Sequence, residues 1–274
     1  MAFLDSGDIQ VLEKQNGTVR KITKGSLLAQ RLLDVSVANV DTRGMFGLAI
    51  GKNQTRGVEY VFVYFTQAGK GLGDEEDRCR KSGDCVKCGV NQPTGNVLYR
   101  FDLSDDEKSL VNRKLLLNFS AMPGAPHNGR QIVVGPDNFI YIITGNAKNV
   151  STVASNSENP NVDGKAGILV LNHDGGAEFD NGILGKQEPL NKYYAYGIRN
   201  DFGLDFDPIT GKLWDTENGH RYGHEINLVE PGFNSGYNKI MGFWNRTGPD
   251  EIELLKDTSD RLRRFQWEEK IQRS

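Results

Sequence analysis

A strand–turn–strand unit returns three times along this chain, and few folds can accommodate it. One copy is Ala2-Phe3-Leu4-Asp5-Ser6-Gly7-Asp8-Ile9-Gln10-Val11-Leu12-Glu13-Lys14. The second is Ile132-Val133-Val134-Gly135-Pro136-Asp137-Asn138-Phe139-Ile140-Tyr141-Ile142-Ile143-Thr144-Gly145-Asn146. The third is Leu204-Asp205-Phe206-Asp207-Pro208-Ile209-Thr210-Gly211-Lys212-Leu213-Trp214-Asp215-Thr216-Glu217-Asn218. Each reads as a strand, an Asp/Pro/Gly turn, a strand and a polar end. A further strand follows each: Gly17-Thr18-Val19, Gly167-Ile168-Leu169-Val170 and Glu225-Ile226-Asn227-Leu228. A weaker copy joins Met45-Phe46-Gly47-Leu48-Ala49-Ile50 to 60–65 and 97–103. One such sheet cannot bury both faces alone. Sheets stacked around an axis cover each other, so the repeat predicts an all-β propeller. A β-sandwich with coincidental turns is the alternative.

Other short β-like runs lie at 9–12, 131–134, 139–143, 168–171 and 212–215. Before the tail, only 104–117 carries a helical pattern, and it reads equally as a loop leading into a strand. The polar, Gly/Asn-rich stretches 68–94 and 146–164 break the repeat. They are expected to be insertions at one end of the propeller, where binding loops gather. Glycine makes up 32 of 274 residues and proline only 9, which suits an ordered chain with many turns.

Charge and hydropathy exclude several classes. Lys+Arg is 33 and Asp+Glu 36, for a net charge of −3, so no nucleic acid or anionic membrane is held by bulk charge. The longest apolar run, 60–65, is far short of the roughly 18 residues of a spanning helix. The opening Met1-Ala2-Phe3-Leu4-Asp5-Ser6-Gly7 has no basic, apolar or cleavage region of a secretory signal. Cys79, Cys85 and Cys88 crowd one charged loop. They read as a local disulfide with one thiol over, which suits an oxidising compartment. Zinc would need a fourth ligand, and the nearest histidine is His127, far along the chain.

Three places could carry chemistry. His127, in Ala125-Pro126-His127-Asn128-Gly129-Arg130, precedes a strand. It reads as a general base or as a turn histidine bonded to backbone. Arg199, in Tyr196-Gly197-Ile198-Arg199-Asn200-Asp201, holds the equivalent place in the next copy. Equivalent positions of blades converge on one channel, so the two could share a cavity. There Arg199 would bind an anion or polarise a carbonyl, or else pair with an acid such as Asp201. The stretch from Thr216 to Glu225 offers oxygen ligands suited to calcium. His220 and His224 have zinc spacing only on a helix, which Gly219 and Gly223 oppose. No phosphate-binding glycine loop and no nucleophile-elbow serine is present.

Four motifs in order resemble one family. They are Arg43-Gly44-Met45-Phe46-Gly47-Leu48-Ala49-Ile50; Pro126-His127-Asn128-Gly129-Arg130 with Gly135-Pro136-Asp137; Gly197-Ile198-Arg199-Asn200-Asp201-Phe202-Gly203-Leu204; and Thr216-Glu217-Asn218-Gly219 with Glu225-Ile226-Asn227-Leu228-Val229-Glu230-Pro231-Gly232. Over residues 1–256 the chain is similar to the soluble PQQ-dependent glucose/sorbosone (aldose sugar) dehydrogenases. The resemblance implies a six-bladed β-propeller, of which about four to five blades are expected here, with pyrroloquinoline quinone (PQQ) and calcium as cofactors. It implies a small-molecule sugar, oxidised at its anomeric carbon. His127 would take the hydroxyl proton, and Arg199, Asn200 and Asn218 would contact the quinone. Gly219 and His220 would offer carbonyls to the quinone's calcium. Glu225, with a carbonyl near Ser235, would hold a second, structural calcium. The intact parent would be periplasmic or extracellular.

The chain also departs from the family. His220-Arg221-Tyr222-Gly223-His224 stands where the family often has proline and acids, and Thr42-Arg43 where a quinone-contacting glutamine is usual. The family's later basic quinone contacts fall beyond residue 274. The charged tail 257–274 is unlike the repeat and is read as a frameshift product, with one to two blades missing. Resequencing the gene tests that reading. Met1 falls inside the first blade's motif, directly before the first repeat copy, so an export signal is expected to have been lost there. An open propeller would expose sheet edges and half its channel, which disfavours activity. The alternative function is a non-catalytic propeller binding a protein or glycan, as Hedgehog-interacting-protein-like relatives do.

Overall fold

The computed structural model describes residues 1–39, 42–52, 59–68, 95–119, 121, 126–147, 152–156, 163–177, 182–219, 223–237, 239 and 265–266. Cys79, Cys85, Cys88 and most of the tail lie outside these. The described residues form four β-sheets, the blades of a β-propeller.

The first blade pairs β1 (Ala2–Phe3), β2 (Ile9–Glu13), β3 (Thr18–Thr23) and β4 (Ser26–Asp34) in sequence order. The second does the same with β5 (Met45–Lys52), β6 (Glu59–Gln67), β7 (Gly95–Leu103) and β8 (Leu110–Phe119). The third is built from β9 (Ile132–Val134), β10 (Ile140–Thr144), β11 (Gly167–Leu171) and β12 (Tyr193–Tyr196). The fourth contains β13 (Asp201–Phe206), β14 (Leu213–Glu217), β15 (Glu225–Val229) and β17 (Phe265–Gln266). Neighbours within a blade are antiparallel. One strand leaves its sequence neighbours: β16 (Phe233–Asn234) follows the fourth blade's β15 yet pairs parallel with β12 of the third.

The repeat therefore marks β1–β2, β9–β10 and β13–β14, each antiparallel pair joined by its Asp/Pro/Gly turn. The helical pattern at 104–117 resolves as a turn followed by β8. Ser104 Oγ and Asp106 cap that turn by accepting the Lys108 N–H, which leaves the following residues extended. β4 escaped the sequence reading because its residues are mostly exposed and its apolar period is weak.

Three apolar interfaces join the four blades. Val61, Val63 and Phe65 of β6 pack on Leu4, Val19 and Leu32 of the first blade. Tyr60, Phe62 and Tyr64 of the same strand pack on Ile132, Ile140 and Ile142 of the third. Tyr141, Ile143, Ile168 and Val170 turn the other way, onto Leu204, Leu213 and Val229 of the fourth. Alternation along a strand sends successive side chains to opposite neighbours. Interior blades thus need apolar residues at every position, and β6 and β10 read as unbroken apolar runs. Each fully buried Phe, Ile or Leu contributes about 1.5–3 kcal/mol. The opening strands also adjoin one another, β5 against β9 and β9 against β13. This arrangement brings the loops before β9 and β13 together.

Candidate active site

His127 sits in the loop before β9, with φ at +63°. Its backbone is held on two sides. The His127 carbonyl accepts the Ala147 N–H at 2.8 Å, and the chain crosses Gly145 so closely that a Cβ there would stand 2.2 Å from the His127 oxygen. Glycine at 145 is thus required for the loop to lie against the end of β10. Next to it, Asn128 anchors a buried polar chain. Its Nδ2 donates to Thr42 Oγ1 at 3.1 Å, and its Oδ1 accepts from Asn96 Nδ2 at 3.0 Å. Asn96 Oδ1 in turn accepts from Thr66 Oγ1 at 2.7 Å, and the Asn128 carbonyl accepts from Tyr64 Oη at 3.2 Å. Buried polar groups joined in this way hold a loop rigidly.

Arg199 occupies the equivalent loop before β13. Gly197, at φ +73°, makes the turn where a Cβ would strike Asn234 Oδ1 at 2.1 Å. The Arg199 N–H donates to Glu217 Oε1 at 2.8 Å, and the Arg199 carbonyl accepts from the Asn146 N–H at 3.0 Å. The side chain is 8% exposed. Its Nη1 donates to the carbonyls of Asn218 and Gly219 at 3.2 and 3.4 Å. Its Nη2 stands 2.9 Å from His127 Nε2. The anticipated alternative partner, Asp201, belongs to a different cluster. Burial lowers the Arg199 pKa from the usual guanidinium value.

The structure thus brings His127 and Arg199 into contact from separate blades. A guanidinium can only donate, so Nε2 offers its lone pair. In the neutral ring the proton then lies on Nδ1, which donates to Asn146 Oδ1 at 3.0 Å. The geometry presents a fixed imidazole base beside a cation. Asn200 lies next to Arg199, 4% exposed, and its Oδ1 is buried with no hydrogen-bond partner. The Asn200 carbonyl accepts the Asn218 N–H at 3.0 Å, which draws Asn218 and Gly219 to the same loop. His220 lies outside the described residues.

Behind this loop, one face of the fourth blade is acidic. Register places Asp201 opposite Glu217, Glu217 opposite Glu225, and Asp215 opposite Asn227. All five are 5% exposed or less. The Ser235 hydroxyl donates to Glu217 Oε2, so Ser235 and Glu225 adjoin one cluster. Burial raises the Asp215 carboxyl to about 7 and the Glu217 carboxyl to about 8, and raises Asp201 as well. The side-chain oxygens of Asp201, Asp215 and Asn227 lack a donor. Neighbouring carboxylates can bond each other only through a shared proton, so protons or a cation must neutralise them. Hard oxygen donors of this kind suit calcium. Among the described residues, no three His, Cys, Asp or Glu side chains form a ready-made metal-ligand group.

Sequence reasoning missed Asn146, Tyr237 and Asp215, named Asp201 only as a partner for Arg199, and included Glu217 in the stretch read as oxygen ligands for calcium. Asn146 ends the second repeat copy and Glu217 stands next to last in the third, so the polar end of the unit was the available signal. Tyr237 falls outside the repeat and gave none.

Comparisons with known proteins bear on the family and the fold. The sequence profile described as glucose/sorbosone dehydrogenase matches residues 1–271. The uncharacterized protein slr1608 of Synechocystis is 26% identical over 263 residues, which is 92% of this chain and 58% of that protein. A Thermus thermophilus protein assigned as an oxidoreductase (glucose dehydrogenase) superposes with a TM-score of 0.68 at 26% identity, over 89% of this chain and 64% of that one. The PQQ-bound aldose sugar dehydrogenase of Streptomyces coelicolor gives 0.65 at 23% identity, over 88% and 62%, and shares the fold. The chain therefore spans about three fifths of the length of these relatives. The blades and their order, the two loop motifs and the profile match together make this chain a member of the glucose/sorbosone dehydrogenase family.

Proposed function

We propose that this chain belongs to a quinoprotein that oxidises an aldose at its anomeric carbon. The observation that carries the reading is the 2.9 Å contact between His127 Nε2 and Arg199 Nη2, made across two blades. With Arg199 turned from His127 to the cofactor, His127 Nε2 would take the proton of the anomeric hydroxyl, and the hydrogen on the same carbon would leave as hydride, giving a lactone. PQQ, when bound, supplies the two-electron acceptor for that hydride. Arg199 supplies positive charge for an anionic, carbonyl-bearing cofactor, and Asn200 and Asn218 bind beside it. The Gly219 carbonyl, with that of His220, would hold the calcium that seats the quinone. Glu225 and a carbonyl near Ser235 would hold a structural calcium. The orphaned oxygens of Asp201, Asp215 and Asn227 support a cation in that part of the blade. A periplasmic or extracellular setting fits the family. Among the described residues no helix is long and apolar enough to cross a membrane.

The test is direct. Purified chain is mixed with PQQ and calcium, quinone binding is followed by absorbance, and dye reduction is measured with a panel of aldoses. Aldose-dependent dye reduction supports the reading. Quinone binding without turnover limits it to the cofactor site. No quinone binding overturns it and favours the non-catalytic propeller, to be tested with glycan and protein ligands.

A further inference from the structure

We propose that the Arg199 guanidinium guards the site: it covers both a carbonyl that would hold calcium and the lone pair that would take the substrate proton, and it must be drawn away by calcium and quinone before His127 can act as a base. This rests on the reading of the site as a quinone and calcium site. Arg199 bridges three acceptors at once. Nη1 lies 3.2 Å from the Asn218 carbonyl and 3.4 Å from that of Gly219, and Nη2 lies 2.9 Å from His127 Nε2. One side chain thus sits on the proposed metal ligand and on the proposed base. Its side-chain partners among the described residues are all uncharged. Glu217, whose charge reaches Arg199, gives its oxygens instead to the Arg199 N–H and the Ser235 hydroxyl. Arg199 is 8% exposed, so its charge is short of both water and a counter-ion, and an anionic ligand draws it off readily.

The guanidinium and calcium compete for one oxygen. Calcium takes oxygen ligands at about 2.3–2.6 Å. With Nη1 at 3.4 Å from the same Gly219 carbonyl, the two cations would stand no more than about 6 Å apart. Burial leaves little water to screen that repulsion. Arg199 therefore leaves as calcium enters, and turns toward the negative charge of the quinone. Only the side chain has to move. The Arg199 N–H and carbonyl are fixed by Glu217 Oε1 and the Asn146 N–H. The imidazole stays as well. Its Nδ1 keeps Asn146 Oδ1 at 3.0 Å, and Asn146 Nδ2 keeps Tyr237 Oη at 2.8 Å. Tyr237 is pinned in turn, its N–H on the Gly197 carbonyl and its carbonyl on Asn156 Nδ2. Nε2 is thus uncovered in place, with its lone pair open. A sugar that arrives before the hydride acceptor finds no base, which orders binding as cofactor first and sugar second.

The experiment compares the full chain, as wild type and as R199M, in chelator, with calcium alone, and with calcium plus PQQ. Long-range proton–nitrogen NMR follows the ring nitrogens, since the chain has only four histidines, and His127 is assigned by its loss in H127N. Calorimetry follows calcium, and absorbance follows quinone. In chelator, the His127 Nε2 signal of wild type should lie upfield of that of R199M, because it accepts from a charged donor. Calcium plus PQQ should move the wild-type signal downfield, toward that of R199M. If the guanidinium holds its three acceptors about nine-tenths of the time, its removal should tighten one calcium step about tenfold. Quinone binding should weaken in the same variant, because its cationic partner is gone. An arginine with a merely structural role would weaken both. Calcium no tighter in R199M overturns the guard and leaves the quinoprotein reading standing. So does a wild-type Nε2 signal that stays put while calcium and PQQ bind, a result that needs no variant to fold. Failure of both proteins to bind calcium and PQQ overturns the guard and that reading together.

Discussion

In the third blade, β10 and β11 are buried at every position and apolar almost throughout. In the fourth, β14 and β15 bury alternate residues, and the buried row changes character along its length. It begins with Leu213 and Val229, which complete the core against the third blade. It continues through Asp215 and Asn227 to Glu217 and Glu225, behind the loop that carries Arg199. Strands β10 and β11 are shaped by packing, with Thr144 the polar exception. The fourth blade gives up apolar burial on the side that faces the site, and its carboxyl groups need protons or a cation in return. A polar residue at a position whose period demands an apolar one thus marks chemistry rather than a packing error.

The largest expected effect separates the site loop that leads into the third blade from that blade's packed core. His127→Asn keeps a residue that tolerates the left-handed backbone but removes the proposed base. Sugar oxidation should fall about 10²–10⁴-fold, measured by steady-state dye reduction. A loss smaller than tenfold would break the assignment. Next in size is a purely structural change in the third blade. Ile142→Ala, fully buried between blades, should cost about 2–5 kcal/mol in urea unfolding. The measurement would contradict the packing contrast if the cost were under 1 kcal/mol.

The acidic face gives a smaller effect with a definite sign. Burial raises Asp215 to about 7 and Glu217 to about 8, from ordinary values of 3.8 and 4.5. Their protonated forms therefore favour the folded state at low pH. That stability is lost as pH climbs through about 7 to 8. Chelator-treated protein should melt at progressively lower temperature from pH 5 to pH 8, and added calcium should flatten the trend. Asp215→Asn should remove part of the slope. A flat profile without cation would show that the face is neutralised otherwise. The smallest effect is expected on the opposite face of the neighbouring strand, β15. Ile226→Ser, at 37% exposure, should change stability by less than about 0.5 kcal/mol.

Much of the fold was readable from residues because turn chemistry and apolar period coincide. Gly135-Pro136-Asp137-Asn138 and Asp207-Pro208-Ile209-Thr210-Gly211 mark hairpins between strands whose alternation is intact. β4 was not readable, since an outer strand needs little apolar surface. The site was half readable. His127 and Arg199 occupy matching places in two repeat copies, which suggested a shared opening. Tyr237 and Asn156 reach the site through long-range contacts that no local pattern encodes. Asp201 looked like a ready partner for Arg199, but register places its side chain with Glu217 instead. Charge alone could not tell the two faces of the strand apart.

The return of β16 to pair with β12 has a consequence for how the molecule opens. The chain leaves the third blade, builds β13–β15 of the fourth and then comes back to clasp the third. Local unfolding of the fourth blade must pull on β16, and fraying of β12 must loosen the segment leading to Tyr237. The two blades should therefore exchange their amide hydrogens as a single cooperative unit. The loops bearing His127 and Arg199 are carried by that unit, so breathing motions that would part the two loops require two of the four described sheets to come apart together.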